Sequence, residues 1–186
     1  YVETATPQII AGEVLVKNCY FSFDPTQRNW MVDRPGYLPP VAIGDAMRAG
    51  SVSQVIESKH QDFMVGELVQ TTGCWQDYAV VAPGKGPTGI NKLPPGVSPE
   101  MMLSILGITG MTAYFGLLEH GQPKAGETVL VSGAAGATGS VVGQIAQLMG
   151  CRVVGIAGGP EKCAWLKDVA GFDAVIDYKN EDLNEQ

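Results

Sequence analysis

The stretch Val129-Leu130-Val131-Ser132-Gly133-Ala134-Ala135-Gly136-Ala137-Thr138-Gly139 joins an apolar run to a turn of small residues. On its amino side, residues 127–132 (ETVLVS) read as a buried strand; on the other, 137–149 (ATGSVVGQIAQLM) read as a helix that Gly150 stops. A glycine turn between strand and helix is the setting in which backbone amides and a helix dipole receive a dinucleotide diphosphate. On the GxGxxG template the three positions are Ala134, Gly136 and Gly139. Gly136 lets the backbone approach a pyrophosphate, and Gly139 lets the helix pack close to the strand. The alternative for the same glycines is close helix packing alone. Gly139 is followed by Ser140 rather than by a Lys-Ser or Lys-Thr pair, which excludes a Walker-type loop.

Further along, 151–156 (CRVVGI) reads as a strand, 160–169 (PEKCAWLKDV) as a helix and 173–177 (DAVID) as a third strand. Strands and helices alternating at these lengths predict a parallel sheet with right-handed crossovers. A doubly wound nucleotide sheet has about six strands, and here the alternation ends after three, so the expectation is a fragment of a longer protein. Opening at Tyr1 without an initiator methionine predicts a preceding segment as well. The second strand ends in Ile156-Ala157-Gly158-Gly159, without the carboxylate that usually meets a free ribose 2′-OH. Gly158 leaves room for a 2′-phosphate, Lys162 follows one short turn later to pair with it, and Tyr178 adds a hydroxyl after the third strand. These residues favour NADP(H) over NAD. The bland alternatives are a solvated lysine and an edge-packing tyrosine.

The amino-terminal half has a different rhythm. Strand patterns occur at 9–17 (IIAGEVLVK), 51–57, 63–70 and 75–82, with punctuation at Pro35-Gly36, Pro39-Pro40, Pro83-Gly84 and Pro94-Pro95-Gly96. Short strands with such breakers predict a compact, partly open barrel. The character changes after Gly96, giving domains at 1–96 and 97–186. Ser98-Pro99-Glu100 starts a helix, the apolar stretch 101–106 continues it, and 110–118 form a second. The fold class is therefore α/β, a barrel followed by the first half of a parallel nucleotide sheet.

Composition narrows the partners. With 45% hydrophobic and 17% charged residues, the chain can bury a core. Its net charge of -7 argues against nucleic acid and anionic membrane, both of which need a basic face. No apolar run approaches the ~18 residues of a bilayer span. Cys19, Cys74, Cys151 and Cys163 form no CxxC pair, which favours reduced thiols and a cytoplasmic setting.

Linked motifs then recur in order: Asp24-Pro25-x-x-Arg28, Gly107-x-x-Gly110-Met111-Thr112-Ala113-Tyr114, Gly133-Ala134-Ala135-Gly136-x-x-Gly139-Ser140, Gly155-Ile156-Ala157-Gly158-x-x-Glu161-Lys162-Cys163, Gly171-Phe172-Asp173 and Asp177-Tyr178-Lys179. The chain resembles, over nearly all its length, the zinc-independent branch of the medium-chain dehydrogenase/reductase superfamily. That branch holds prostaglandin reductases, leukotriene dehydrogenases, curcumin reductases and alkenal double-bond reductases. The resemblance implies a GroES-like barrel, a Rossmann domain and NADPH-dependent reduction of the C=C bond of α,β-unsaturated ketones or aldehydes. It implies that Ala135, Gly136, Ala137, Thr138 and Gly139 form the pyrophosphate turn, that Lys162 and Tyr178 hold the 2′-phosphate beside Gly158, and that Met111 and Thr112 line the cofactor cleft. It also implies a homodimer acting on a small conjugated carbonyl.

Zinc-dependent relatives carry a first cysteine where Cys19 stands, but their Gly-His-Glu region reads Gly44-Asp45-Ala46-Met47 here, and residues 82–98 hold no cysteine. No metal is expected. His60 and His120 stand alone in sequence and read as loop residues. Thr26 occupies a place where many relatives have a tyrosine; Tyr37 offers an alternative hydroxyl, with loop packing as its competing role. Thr72 and Trp75 fall near the substrate in the family, and Trp75 reads equally as a buried residue at the barrel rim. The alternatives to an enone reductase are a quinone reductase of the same superfamily and a non-catalytic NADPH-binding protein.

Overall fold

A computed structural model describes residues 2–34, 36, 38–84 and 89–182. Contacts divide the chain into two compact units, residues 1–103 and 104–186.

In the first unit, β1 (Val14–Phe21), β2 (Ser51–Ser58), β3 (Leu68–Thr71), β4 (Tyr78–Val81) and β5 (Asn91–Lys92) pair antiparallel in the order β4-β1-β2-β3-β5. The β1/β2 register slips at Leu15/Val16 and again at Asn18/Tyr20, and such bulges bend and twist the paired strands. Val14, Val16, Val55, Val69, Ala79, Val81 and Ile90 form the core. Two five-residue helices, α1 (Thr26–Trp30) and α2 (Pro99–Leu103), complete the unit. Ser98 caps α2 as its position suggests: its Oγ accepts the Met101 N–H at 3.2 Å.

Several boundaries differ from the sequence pattern, each for a local reason. The strand expected at 63–70 starts only at Leu68, because Gly66 donates its N–H to the Val55 carbonyl and Glu67 Oε2 accepts the Met64 N–H, closing a turn. The first strand starts at Val14, after a turn in which Gly12 donates to the Lys59 carbonyl at 2.9 Å. The helix expected through 106 stops at Leu103, because the next residues close a turn in which the Gly107 N–H donates to the Ser104 carbonyl at 3.1 Å.

In the second unit, β6 (Thr128–Ser132), β7 (Arg152–Ala157) and β8 (Ala174–Asp177) form a parallel sheet in that order, with Thr128 opposite Arg152 and Val154 opposite Ala174. Helix α3 (Ile108–Phe115) runs into a π-helical stretch, Gly116–Gly121; α4 (Ala137–Leu148) and α5 (Pro160–Asp168) are the crossovers. Leu117, Val131, Ala146, Val153, Leu166 and Phe172 anchor the core. Phe172 occupies space that two absent side chains leave open: a Cβ on Gly143 would collide with its ring, and one on Gly155 would lie 2.7 Å from it. Among the described residues, no helix is long and apolar enough to cross a membrane.

Candidate dinucleotide site

Strand β6 delivers the chain into its glycine turn at Ser132. Gly133 takes φ +59, a left-handed conformation that costs an L side chain but not glycine. The template position Ala134 has a different task. Its methyl is fully buried, and its N–H donates to the Ile156 carbonyl at 3.0 Å, stitching the turn to β7. The tight-turn glycine is thus Gly133, one residue before the template position, in a Gly133-x-x-Gly136-x-x-Gly139 spacing.

Gly136 donates to the Gly133 carbonyl at 2.9 Å and is the extended residue at which α4 begins, its carbonyl accepting the Ser140 N–H. The next amides, on Ala137, Thr138 and Gly139, have no carbonyl one turn back and collect at the positive end of the helix dipole. Gly139 lies against the turn itself: a Cβ there would be 2.5 Å from the Gly133 carbonyl oxygen. Small residues thus keep a ring of N–H donors uncovered. Met111 and Thr112 are exposed on α3, which packs on α4. The Thr112 hydroxyl donates to the Ile108 carbonyl at 2.6 Å, leaving its oxygen as an acceptor.

A second cluster forms beside the ends of β7 and β8. The Tyr178 ring lies over Gly158 so closely that a Cβ would come within 2.7–2.8 Å of its Cε1, Cζ and Oη. Gly159, with φ 98 and ψ 152, starts α5, whose first turn carries the exposed Lys162. Asp177 closes the cluster from the end of β8. Its Oδ1 accepts the N–H groups of Gly159 (2.8 Å) and Lys179 (3.1 Å), and its Oδ2 accepts Asn180 Nδ2 (2.7 Å). The Gly159 N–H foremost, with the Asn180 amide and the Lys179 N–H, holds the Asp177 carboxyl below the usual carboxylate range. Burial, followed by the negative charges of Asp177 and Glu181, pushes the Cys163 thiol up. Uncovered amides, an ammonium and a phenol are donor groups, the chemistry that a polyanionic dinucleotide requires.

The first unit holds Thr72 and Trp75 in one loop. Asn18 Nδ2 donates to the carbonyls of Gly73 (3.0 Å), Cys74 (3.2 Å) and Gln76 (2.7 Å), while Ser51 Oγ accepts the Gly73 N–H at 2.7 Å. These bonds explain why β4 starts at Tyr78 instead of 75. Trp75 is not a buried rim residue: it is 40% exposed, with the Phe23 ring 4.9 Å and the Phe21 ring 6.2 Å away. Asp24 accepts a hydrogen bond from the Ser22 hydroxyl at 2.6 Å. Tyr37 lies outside the described residues. Cys19, Cys74, Cys151 and Cys163 are all free thiols, and among the described residues no three His, Cys, Asp or Glu side chains gather as a metal ion would need.

Two residues carry roles that the sequence pattern does not assign to them. The GxGxxG template starts at Ala134, whereas the positive-φ turn residue is Gly133, whose regular spacing to Gly136 and Gly139 is the available signal. The template also places its carboxylate at the end of the second strand, whereas here the third strand supplies one, Asp177.

Residues 1–90 match the family described as "N-terminal domain of oxidoreductase", and residues 137–186 match "Zinc-binding dehydrogenase". The chain belongs to the medium-chain dehydrogenase/reductase superfamily, in its zinc-independent branch. It is 46% identical over 184 residues to the NADPH-dependent curcumin reductase of Escherichia coli, covering 99% of this chain and 52% of that protein. It is 41% identical over 173 residues to prostaglandin reductase 1 of Bos taurus, covering 93% and 50%. CurA from Vibrio vulnificus, solved also in complex with NADPH, superposes with a TM-score of 0.89 at 46% identity, covering 100% of this chain and 54% of that one. The chain therefore spans about half the length of the curated relatives it matches.

Proposed function

We propose that this chain forms part of an NADPH-dependent reductase that saturates the C=C bond of α,β-unsaturated ketones or aldehydes. The observation that carries the reading is the donor set of the second unit: the amides opening α4, with Lys162 and Tyr178 flanking Gly158. The relatives' names, an NADPH-dependent curcumin reductase and a prostaglandin reductase, support it.

In this reading the N–H groups of Ala137, Thr138 and Gly139 bind the diphosphate, and Ala135 and Gly136 let the backbone approach it. Lys162 and Tyr178 hold the 2′-phosphate by charge-assisted hydrogen bonds, and Gly158 leaves it room. Met111 and Thr112 line the bound cofactor. NADPH supplies hydride to the electron-poor β-carbon of the substrate. Trp75 offers the conjugated substrate an aromatic face, since its Nε1 is already given to the Ser22 carbonyl at 3.3 Å. Thr72 contributes a hydroxyl toward the substrate by the family resemblance, and Tyr37, outside the described residues, is a candidate for a second on its sequence position alone. The reading asks for no metal ligand from this chain. It also makes the protein a cytoplasmic homodimer, supported by the family resemblance.

The test is turnover by the full-length protein that carries this sequence. NADPH oxidation with an alkenal, yielding the saturated carbonyl by mass spectrometry, is the expected result. Turnover of quinones without alkenals would replace the reading with a quinone reductase. Tight NADPH binding with neither substrate consumed would replace it with a non-catalytic nucleotide binder. Sedimentation as a monomer would remove the dimer.

A further inference from the structure

We propose that Asp177 is a positioning residue for nucleotide choice, fixing the Gly158–Gly159 turn against Tyr178 so that a 2′-phosphate is accepted beside Lys162. The inference rests on the NADPH reading above.

A carboxylate at this edge of a nucleotide sheet ordinarily accepts a ribose 2′-OH and repels a 2′-phosphate. Asp177 stands next to the same turn, yet both of its oxygens face protein donors. Oδ1 takes two backbone N–H groups, from Gly159 and Lys179, and Oδ2 takes the Asn180 amide. The residue is only 7% exposed, and its carboxylate oxygens are occupied by these donors. Three donors nearly exhaust what a carboxylate accepts.

The bonds also lie where they control geometry. Gly159 is the residue at which α5 begins, and its left-handed φ of 98 aims its N–H at Asp177. Losing that acceptor would leave a part-buried donor unmatched and free the turn that sets the direction of Lys162. On the other side, Tyr178 is the next residue along the chain, held by its N–H to the Ala157 carbonyl at 3.1 Å, with its ring on Gly158. One carboxylate thus links the turn before Lys162 to the Asp177–Lys179 segment that carries Tyr178. The Asn180 and Glu181 N–H groups, both donated to the Asp177 carbonyl, close the loop behind it.

Calorimetric titration of the full-length protein with adenosine 2′,5′-bisphosphate and with 5′-AMP tests this without relying on turnover. The wild type should prefer the bisphosphate. D177A should weaken the bisphosphate about 10-fold while leaving 5′-AMP within about 2-fold. D177N keeps an oxygen for the two backbone amides and should restore the bisphosphate to within about 3-fold of wild type. Equal weakening of both ligands by D177A, or no weakening, overturns the proposal. A larger loss for 5′-AMP overturns it in favour of a ribose-accepting Asp177. If D177A does not fold, N180A at its exposed position decides: a selective bisphosphate loss of about 2- to 3-fold supports the proposal, and an unchanged ratio overturns it. A wild type with no preference for the bisphosphate would instead defeat the NADPH reading, and the role of Asp177 with it.

Discussion

Replacing Gly139 with alanine should push α4 off the turn that opens it. The new Cβ would lie 2.5 Å from the Gly133 carbonyl oxygen, 2.9 Å from Ala134 Cα and 3.0 Å from the Gly133 carbonyl carbon. Ordinary contact begins at 3.4 Å, so helix and turn must part by about 0.9 Å, and every obstacle is backbone. Overpacking of this kind costs about 1–3 kcal/mol. Moving the Gly133 carbonyl also weakens the bond it accepts from Gly136, worth about 1 kcal/mol. Alanine returns up to about 1 kcal/mol of helix propensity relative to glycine. The net expectation is a loss of about 1–3 kcal/mol from the second unit. G136A is the control, because its Cβ would sit 3.1 Å from the same oxygen and its backbone, at φ -83 and ψ 169, suits alanine. It should cost less than about 1 kcal/mol. Urea unfolding followed by Trp165 fluorescence, with Trp30 and Trp75 of the first unit replaced by phenylalanine, reads the difference. A G139A protein as stable as wild type, or a G136A loss of equal size, would refute the close seating of α4.

Three further outcomes are expected. Lys162→Ala should weaken NADPH about 10- to 150-fold and NADH far less, measured by titration; equal weakening would reject the 2′-phosphate role. The folded-state pKa of Asp177 lies below its ordinary value of 3.8, so its stabilising contribution is present above that value and is lost as pH falls through the lower folded one. The stability gap between wild type and D177N should therefore hold from neutrality to about pH 5 and shrink below about pH 4 in urea titrations; a gap that widens in acid would reverse the assignment. Asn18→Ala strips one donor from three carbonyls of the Trp75 loop and should destabilise the first unit by about 2–4 kcal/mol, with altered Trp75 emission. An unmoved urea midpoint would mean that the loop is held by other bonds.

The parallel half was legible almost to the residue. Strands expected at 127–132, 151–156 and 173–177 fall at Thr128–Ser132, Arg152–Ala157 and Ala174–Asp177, and the two crossover helices agree to one residue. Each strand is a short apolar run covered by a helix, and turns or glycines punctuate the ends, so local pattern and tertiary burial ask for the same thing. In the antiparallel half they compete. Glu67 binds a backbone group within its own turn, Asn18 reaches from β1 to carbonyls of the Trp75 loop, and those bonds end the ladder at Leu68 and Tyr78, where alternation alone would have extended it. Helix α1 and the two-residue β5 carry too little periodicity to be read. At the site, sequence gives residue types but not the direction of a hydrogen bond. It locates Lys162 and Tyr178 near the turn, yet cannot say that Asp177, one residue before Tyr178, has spent its charge on Gly159, Lys179 and Asn180.

That distinction reconciles an acidic chain with an anionic ligand. A net charge of -7 acts through solvent and is screened within about 8 Å at physiological salt. A nucleic acid, long and uniformly charged, samples that net field; a dinucleotide bound at the two proposed clusters would sample mainly the groups in contact. In those clusters several acceptors are turned inward: the Gly133 carbonyl accepts Gly136, the Ile156 carbonyl accepts Ala134, and Asp177 accepts three donors. The groups at the surface include the first amides of α4, the Lys162 ammonium and the Tyr178 hydroxyl, with the exposed Glu161 and Glu181 carboxylates beside the second cluster. Because amide dipoles are fixed by the fold, they need little reorganisation when an anion arrives. Anion affinity in this chain should consequently follow the geometry of its two turns more closely than its total charge. Removing distant surface carboxylates should then change bisphosphate binding much less than Asp177→Ala, although the latter also removes a negative charge.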